Sequence, residues 1–179
     1  MRVHKIEGKS IYLRPLRLSD INSRYLSWLN DKRVTRYMEG DKYPRTVKGL
    51  KQFFYKIRKS RNDLMMAIVL KKNNRHIGNI KLGTINWFHC FGDLGIMIGE
   101  KSCWNKGYGQ EACRLFLGYA FNKLKMHKVT LGVHAQHLAA IRAYSKVGFR
   151  KEGRISGLWR WGRKFEDKIL MGISKSGLR

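Results

Sequence analysis

The segment Trp104-Asn105-Lys106-Gly107-Tyr108-Gly109 separates an apolar run at residues 94–98 from a stretch in which Ala112, Leu115, Phe116, Tyr119 and Ala120 recur at helical spacing. A strand that passes through a glycine turn into an amphipathic helix commits this region to an α/β arrangement, with the turn at the strand's carboxyl end. The turn is also chemically specific. Glycines let the main chain approach a ligand, and the unpaired N–H groups of a helix's first turn favour an anion, so the arrangement suits a pyrophosphate. It lacks the Lys and Ser or Thr of a loop that holds a hydrolysed nucleotide. It also falls past the middle of the chain, and the region around Thr130 offers no acid to hold a dinucleotide's ribose.

Periodicity along the rest of the chain agrees with a mixed fold. A strand over residues 11–16 leads to a helix capped by Ser19 or Asp20, with Ile21, Tyr25, Trp28 and Leu29 on one face. A second helix follows Thr46, where Leu50, Phe53, Phe54 and Ile57 repeat at helical spacing. Strands at 64–70 and 76–84 form a hairpin across the polar turn 71–75, and a fourth strand covers 93–99. The long helix runs over about 110–124, and a strand at 127–134 alternates Val129, Leu131 and Val133. A helix over 138–147 stops at Gly148, a left-handed cap, before strands near 149–156 and 165–173. At 179 residues the chain is expected to form one domain over 1–179.

Two blocks resemble the GNAT acetyltransferase superfamily. The first is the turn itself, within Trp-x-Lys-Gly-Tyr-Gly-x-Glu-Ala; the second is Ala139-Ala140-Ile141-Arg142-Ala143-Tyr144-Ser145-Lys146-Val147-Gly148-Phe149. Trp104 stands where the superfamily signature has Gln or Arg, and the first block is similar to the branch of ribosomal-protein N-terminal alanine acetyltransferases and amino-sugar acetyltransferases. Tyr12-Leu13-Arg14-Pro15 followed by Ser19-Asp20 looks like that branch's opening strand and helix. The resemblance implies a single GNAT-like domain: a central, mostly antiparallel mixed sheet flanked by helices and split between its fourth and fifth strands for acetyl-CoA. The implied activity is direct acetyl transfer from acetyl-CoA to a primary amine in a ternary complex.

Residue by residue, the resemblance implies cofactor contacts from Trp104, Asn105, Lys106, Gly107, Tyr108, Gly109 and Gln110, with Lys106 and Lys146 toward phosphates. Backbone groups of Ile96, Met97 and Ile98 would pair with the pantetheine arm, and one N–H there would meet the thioester oxygen. His137 stands where the family usually has Asn. Tyr144 is nominated to donate a proton to the departing sulfur, since a phenol with a pKa of about 10 stays protonated at neutral pH. Asp93, where histone-acetylating relatives carry a glutamate base, is the candidate to take the amine's proton, with Glu100 and His134 in reserve.

Charge bears on the acceptor. Thirty-eight Lys and Arg against twelve Asp and Glu give a net charge of +26, which favours anionic partners. A cationic enzyme repels polyamines and aminoglycosides and attracts a sugar carried on a diphosphate. The segment 28–38 looks like amino-sugar members of the branch, so a nucleotide-linked amino sugar is the expected acceptor, with Tyr37, Met38, Asn79 and Trp87 lining its side. A ribosomal-protein N-terminus is the alternative within the enzyme class. The basic residues also interleave with Tyr37, Tyr43, Trp159 and Trp161, as in a nucleic-acid-binding or non-catalytic interaction module. Ribosome or nucleic-acid association and a homodimer therefore stand as open partner states. Cys90, Cys103 and Cys113 are odd in number and lack metal-ligand spacing, so reduced thiols and no metal are expected. With neither a signal-peptide core nor an apolar run of about 20 residues, the expected location is the cytoplasm.

Overall fold

The computed structural model describes residues 4–38, 44, 46–161 and 163–179, with only the backbone of Trp161 included; Tyr43 lies outside the described residues. Eight strands form one sheet: β1 (Ile6–Glu7), β2 (Ile11–Pro15), β3 (Leu64–Leu70), β4 (His76–Asn86), β5 (Phe91–Ile98), β6 (Lys128–His134), β7 (Arg150–Trp161) and β8 (Lys164–Ser174). Their spatial order is β1-β2-β3-β4-β5-β6-β8-β7. Every neighbouring pair is antiparallel except β5 and β6, which the helix after the glycine turn connects in parallel. That parallel pairing covers only Phe91 with Lys128, Gly92 with Val129 and Asp93 with Thr130. Past Asp93 and Thr130 the two strands part, leaving a wedge-shaped split that opens toward the glycine turn.

Among the described residues five α-helices cover the sheet: α1 (Ser23–Asn30), α2 (Lys32–Thr35), α3 (Val47–Lys59), α4 (Tyr108–Asn122) and α5 (Leu138–Val147). Alternation along the strands sends Leu13, Met66, Ile80, Leu82, Leu94, Val129 and Leu131 to one face, where they pack with Ala112, Phe116 and Leu117 of α4 and Ile141 and Val147 of α5. The other face, with Met65 and Met97, packs under Tyr25, Trp28 and Leu29 of α1 and Leu50 and Phe54 of α3. Phe116 is 1% exposed and anchors the larger core, where truncation of such a side chain to Ala costs about 3–5 kcal/mol.

Thr46 caps α3, with its side chain accepting from Gly49 N–H, and Gly148 ends α5 at φ 118°. Two expectations are corrected and one is renumbered. Ser19 and Asp20 do not cap a helix: Leu18–Asp20 is a 3₁₀ turn, because Asp20 turns inward to bind Arg14 through both oxygens at 2.6 and 2.7 Å and the Arg17 N–H at 2.7 Å. Asn22 caps α1 instead, accepting from Tyr25 N–H. The short β1 precedes the expected first strand, so the split separates the fifth and sixth strands of this numbering, the same two segments. The last hairpin is also longer than expected, because β7 and β8 pair as far as Trp161 and Lys164.

Candidate active site

The glycine turn is shaped by two left-handed residues, Asn105 at φ 58° and Gly107 at φ 79°. Gly107 is the N-cap of α4 and offers no side chain to cap it, so first-turn N–H groups are left for a ligand. A Cβ on Gly107 would meet nothing within 4 Å, and one on Gly109 only Ile98 Cγ1 at 3.8 Å. The space beside the turn is therefore open and lined by backbone donors and the exposed Lys106, which fits a pyrophosphate. Trp104 belongs to the framework: its indole Nε1–H donates to the Ile98 carbonyl at 2.7 Å, tying the turn to the end of β5. Glu111, one turn into α4, accepts from Ser10 and Ile11 N–H and ties the helix to β2.

Side chains alternate across the split. Leu94, Ile96 and Ile98 face α4 and α5. Asp93, Gly95 and Met97 of β5, and Thr130, Gly132 and His134 of β6, face the α1 and α2 side. Gly95 leaves open space there, since an added Cβ meets nothing within 4 Å, while the stem of Lys168 lies against Gly132. A window roughly 13 Å long, four residues at strand rise, thus runs from Asp93 and Thr130 at the closed end to Met97 and His134 at the open end. Asp93 is exposed and accepts a hydrogen bond from Thr130 Oγ1 at 3.2 Å.

An aromatic cluster stands at the open end. His134, 5% exposed, stacks on Trp159 at 4.2 Å between ring centres and meets Tyr37 at 5.7 Å. Tyr37 in turn stacks on His137 at 4.1 Å, so the His137 ring packs toward the α2 side. Burial, then the nearby His134 and Arg36, hold the His137 pKa below the ordinary imidazole range. A bulge in β7 sets the cluster: Gly157, at φ 58°, donates its N–H to Asp167 at 2.8 Å, and the register slips so that Trp159 lies opposite Glu166. Glu166 reaches His134 Nδ1 at 3.1 Å. Two cations lie over the rings, Arg36 at 5.3 Å from Tyr37 and Lys168 at 5.2 Å from Trp159.

Tyr144 approaches from the other face. It packs against the larger core, with its ring edge-on to Phe149 at 5.8 Å. Its hydroxyl has no hydrogen-bond partner among the described residues, yet is not sealed from solvent. Burial of the ring, then Cys113 and Asp93, push its pKa well above the usual phenol range. Cys113 beside it is pushed up to about 12 by burial, so both groups are neutral at physiological pH.

Comparison with known proteins gives this arrangement a family. The model for the acetyltransferase (GNAT) domain matches residues 10–150. The chain belongs to the GNAT acetyltransferases. It is 30% identical to the probable N-acetyltransferase YjcK of Bacillus subtilis, covering 86% of this chain and 91% of that protein. It is 25% identical to the uncharacterized N-acetyltransferase YnaD of the same organism over 83% of this chain and 84% of that one. In fold it is similar to the spermidine N-acetyltransferase of Vibrio cholerae in complex with CoA and spermine, with TM-score 0.86, 22% identity, and coverage of 94% and 97% of the two chains. The chain is thus an N-acetyltransferase with acetyl-CoA as cosubstrate. Among the described residues no cluster of His, Cys, Asp or Glu is arranged to hold a metal, and no helix is long and apolar enough to cross a membrane.

Within this GNAT frame the expected acceptor residues divide. Met38 packs with Met97 against the α1 and α3 cluster, and Tyr37 is beside the window. Asn79 lies opposite Met97 in the sheet but is 3% exposed: its Oδ1 meets His76 Nε2 at 3.0 Å and its buried Nδ2 has no partner among the described residues. Trp87 is separated from the rest. It sits at the tip of the β4–β5 hairpin, eight residues or roughly 26 Å along the chain from Asn79, where its indole bonds Arg61 and Asn62. Sequence reasoning missed Glu166 and Gly95. Their placement depends on the bulge at Gly157 and on the strand face that β5 turns toward α1, and neither leaves a local pattern.

Proposed function

We propose that the enzyme transfers acetyl from acetyl-CoA to the primary amine of a small molecule borne on an anionic carrier, with a nucleotide-linked amino sugar as the leading acceptor. The observation that carries this reading is the aromatic platform of Tyr37 and Trp159, flanked by Arg36 and Lys168. The rings are stacked on His137 and His134 and hold the cations in place, and the cations suit a diphosphate. A polyamine would be opposed by Arg36 and Lys168 in a chain of net charge +26.

In this reading the turn at Asn105, Lys106, Gly107, Tyr108, Gly109 and Gln110 holds the pyrophosphate, Lys146 lies near the phosphates, and the β5 edge over Ile96, Met97 and Ile98 pairs with the pantetheine arm. A backbone N–H of that edge stabilises the thioester oxygen, a contact commonly worth about 3 kcal/mol. The amine enters over Gly95, drawn by Asp93, while the sulfur faces Tyr144 on the opposite side of the sheet. Attack and departure are thereby separated on two faces, and orientation supplies much of the rate. With its raised pKa, Tyr144 acts by donating a hydrogen bond to the departing sulfur and remains protonated.

Acetyl-CoA consumption with a UDP-linked amino sugar, the free amino sugar, spermine and ribosomal particles tests the assignment. The nucleotide-linked sugar should be the best acceptor. A preference for the free sugar or spermine would overturn the anionic-carrier reading, and acetylation confined to particles would move the function to the ribosome.

A further inference from the structure

We propose that the tip of the β4–β5 hairpin and the loops on either side of it form a docking surface for single-stranded RNA. Such docking is independent of which amine the enzyme acetylates. Strand order brings three loops together here: β3 begins, β4 turns into β5 and β6 begins at one end of the sheet, with Leu64 opposite Leu82, Asn86 opposite Phe91 and Phe91 opposite Lys128. The tip therefore has loop 59–63 on one side and loop 123–127 on the other. Hydrogen bonds tie the three into one surface. Ile85 N–H donates to the Asn62 carbonyl at 2.9 Å, the Trp87 indole N–H to the Arg61 carbonyl at 3.0 Å, and His127 N–H to the Cys90 carbonyl at 2.6 Å. Because β5 starts at Phe91 beside this tip and ends at Ile98 beside the glycine turn, a strand bound here leaves the cofactor turn open.

Rings and cations make up what this end presents to solvent. Trp87 and Phe91 are exposed, and Phe88 is 88% exposed, meeting only the edge of His89 among the rings at 4.8 Å. Three exposed aromatics within five residues form a contiguous apolar patch, which a soluble chain keeps for a partner. Residues 86–91 carry no aliphatic side chain, and the aliphatics of the adjoining loop, Leu124 and Met126, pack into the core. Around the rings Lys59, Arg61, Lys123 and Lys125 are exposed and without an ion-pair partner among the described residues. The one carboxylate of the three loops, Asp63, is held by Lys81 at 2.6 Å.

That chemistry selects the partner. Exposed rings stack on bases, and cations on both sides neutralise the phosphates that run past them. A base must be unpaired to reach a ring, and RNA is the nucleic acid whose loops, bulges and ends offer such bases. Asn62 adds a polar contact suited to ribose: its Oδ1 accepts from the Trp87 indole at 3.1 Å, so its Nδ2 group is left beside the ring as a donor to a 2′-hydroxyl. A bilayer anchor would carry aliphatic bulk beside the rings, and the tip has none. A second copy of the chain is opposed by a net charge of +26 on each.

Fluorescence anisotropy of the full chain with a labelled single-stranded RNA of about a dozen nucleotides tests this. The chain should bind that RNA more tightly than its duplex, an abasic strand of equal length or a DNA strand of the same sequence. Phe88→Ala should weaken RNA binding roughly 5- to 100-fold with Tm and CoA affinity unchanged, since the ring it removes is exposed. Phe165→Ala removes another exposed ring, at the far end of β8, and should leave RNA binding as it is. The combined variant Lys59→Gln/Arg61→Gln/Lys123→Gln/Lys125→Gln should flatten the slope of log affinity against log salt by about 3, at about 0.7 per phosphate contact. Equal RNA affinity in wild type and Phe88→Ala, or equal wild-type affinity for the abasic strand, would make overall charge the whole cause and overturn the proposal. Equal or tighter binding of DNA would overturn the assignment to RNA. Tighter binding to vesicles of phosphatidylcholine and phosphatidylserine, lost in Phe88→Ala, would make the tip a lipid contact instead.

Discussion

Gly95→Val separates the acceptor window from the fold. An added Cβ enters a face of β5 where nothing lies within 4 Å, so the β-carbon meets no steric resistance. Glycine inside a strand costs about 0.5–1 kcal/mol relative to Ala, and Val favours the extended backbone further. The variant should therefore be more stable by about 1 kcal/mol, a rise in Tm of about 2–4 °C. Its activity should move the other way. The valine methyls occupy the path of the amine, and a displacement of about 1 Å from productive geometry costs on the order of 10²-fold in rate. Thermal unfolding, calorimetry with CoA and initial rates at varied acceptor form the assay. The expected result is a stabilised protein with unchanged CoA affinity and kcat/KM for the acceptor reduced by roughly 10²-fold or more. A stable Gly95→Val enzyme with normal turnover would show that the amine does not enter over this glycine.

Gly107→Val should fold but bind CoA more weakly: its φ of 79° costs an L-residue about 1–2 kcal/mol, and each pyrophosphate bond lost costs about 1.5–3 kcal/mol, so calorimetry should show at least a tenfold loss. Equal affinity would place the cradle elsewhere. Tyr144→Phe should lower kcat by roughly 10² to 10³-fold with unaltered Tm, because the hydroxyl has no hydrogen-bond partner among the described residues; a fall in Tm without a fall in kcat would make the residue a packing aromatic. His76 provides a pH test of stability. Burial, against the pull of Asp20 and Asn79, holds its folded pKa below the ordinary value, so the unfolded chain binds more protons in the interval between the two. Its contribution is full above about pH 6.5 and is lost as the pH falls from there toward the folded pKa, and His76→Gln should flatten that part of the Tm profile. An unchanged slope would exclude His76 as its source.

Much of the fold was legible because local signals agreed with the tertiary outcome. The residue 64–70 strand, the Thr46 cap, the 138–147 helix and the Gly148 stop each rest on periodicity or on one capping residue. Asp20 misled because a carboxylate before a helical pattern reads as a cap, while its partner Arg14 is set by the strand before it. The glycine turn and the helix that follows it were legible as structure. That Trp104 would spend its indole on the Ile98 carbonyl depended on how the turn folds back over β5. Trp87 misled because hairpin length, unlike residue type, decides its distance from the site. The Tyr37, His134, Trp159 and Glu166 cluster joins residues from four parts of the chain through a bulge, so no local pattern announces it.

The salt dependence of kcat/KM for a UDP-linked amino sugar, in wild type and in Arg36→Gln/Lys168→Gln, tests the anionic-carrier claim most directly. Wild-type kcat/KM should fall steeply between low and physiological salt, where screening shortens the reach of exposed charge to about 8 Å. The double variant should start lower and fall less, with its rate on the free amino sugar little changed. A wild-type rate that is flat in salt, or a double variant as efficient as wild type toward the nucleotide-linked sugar, would contradict the claim.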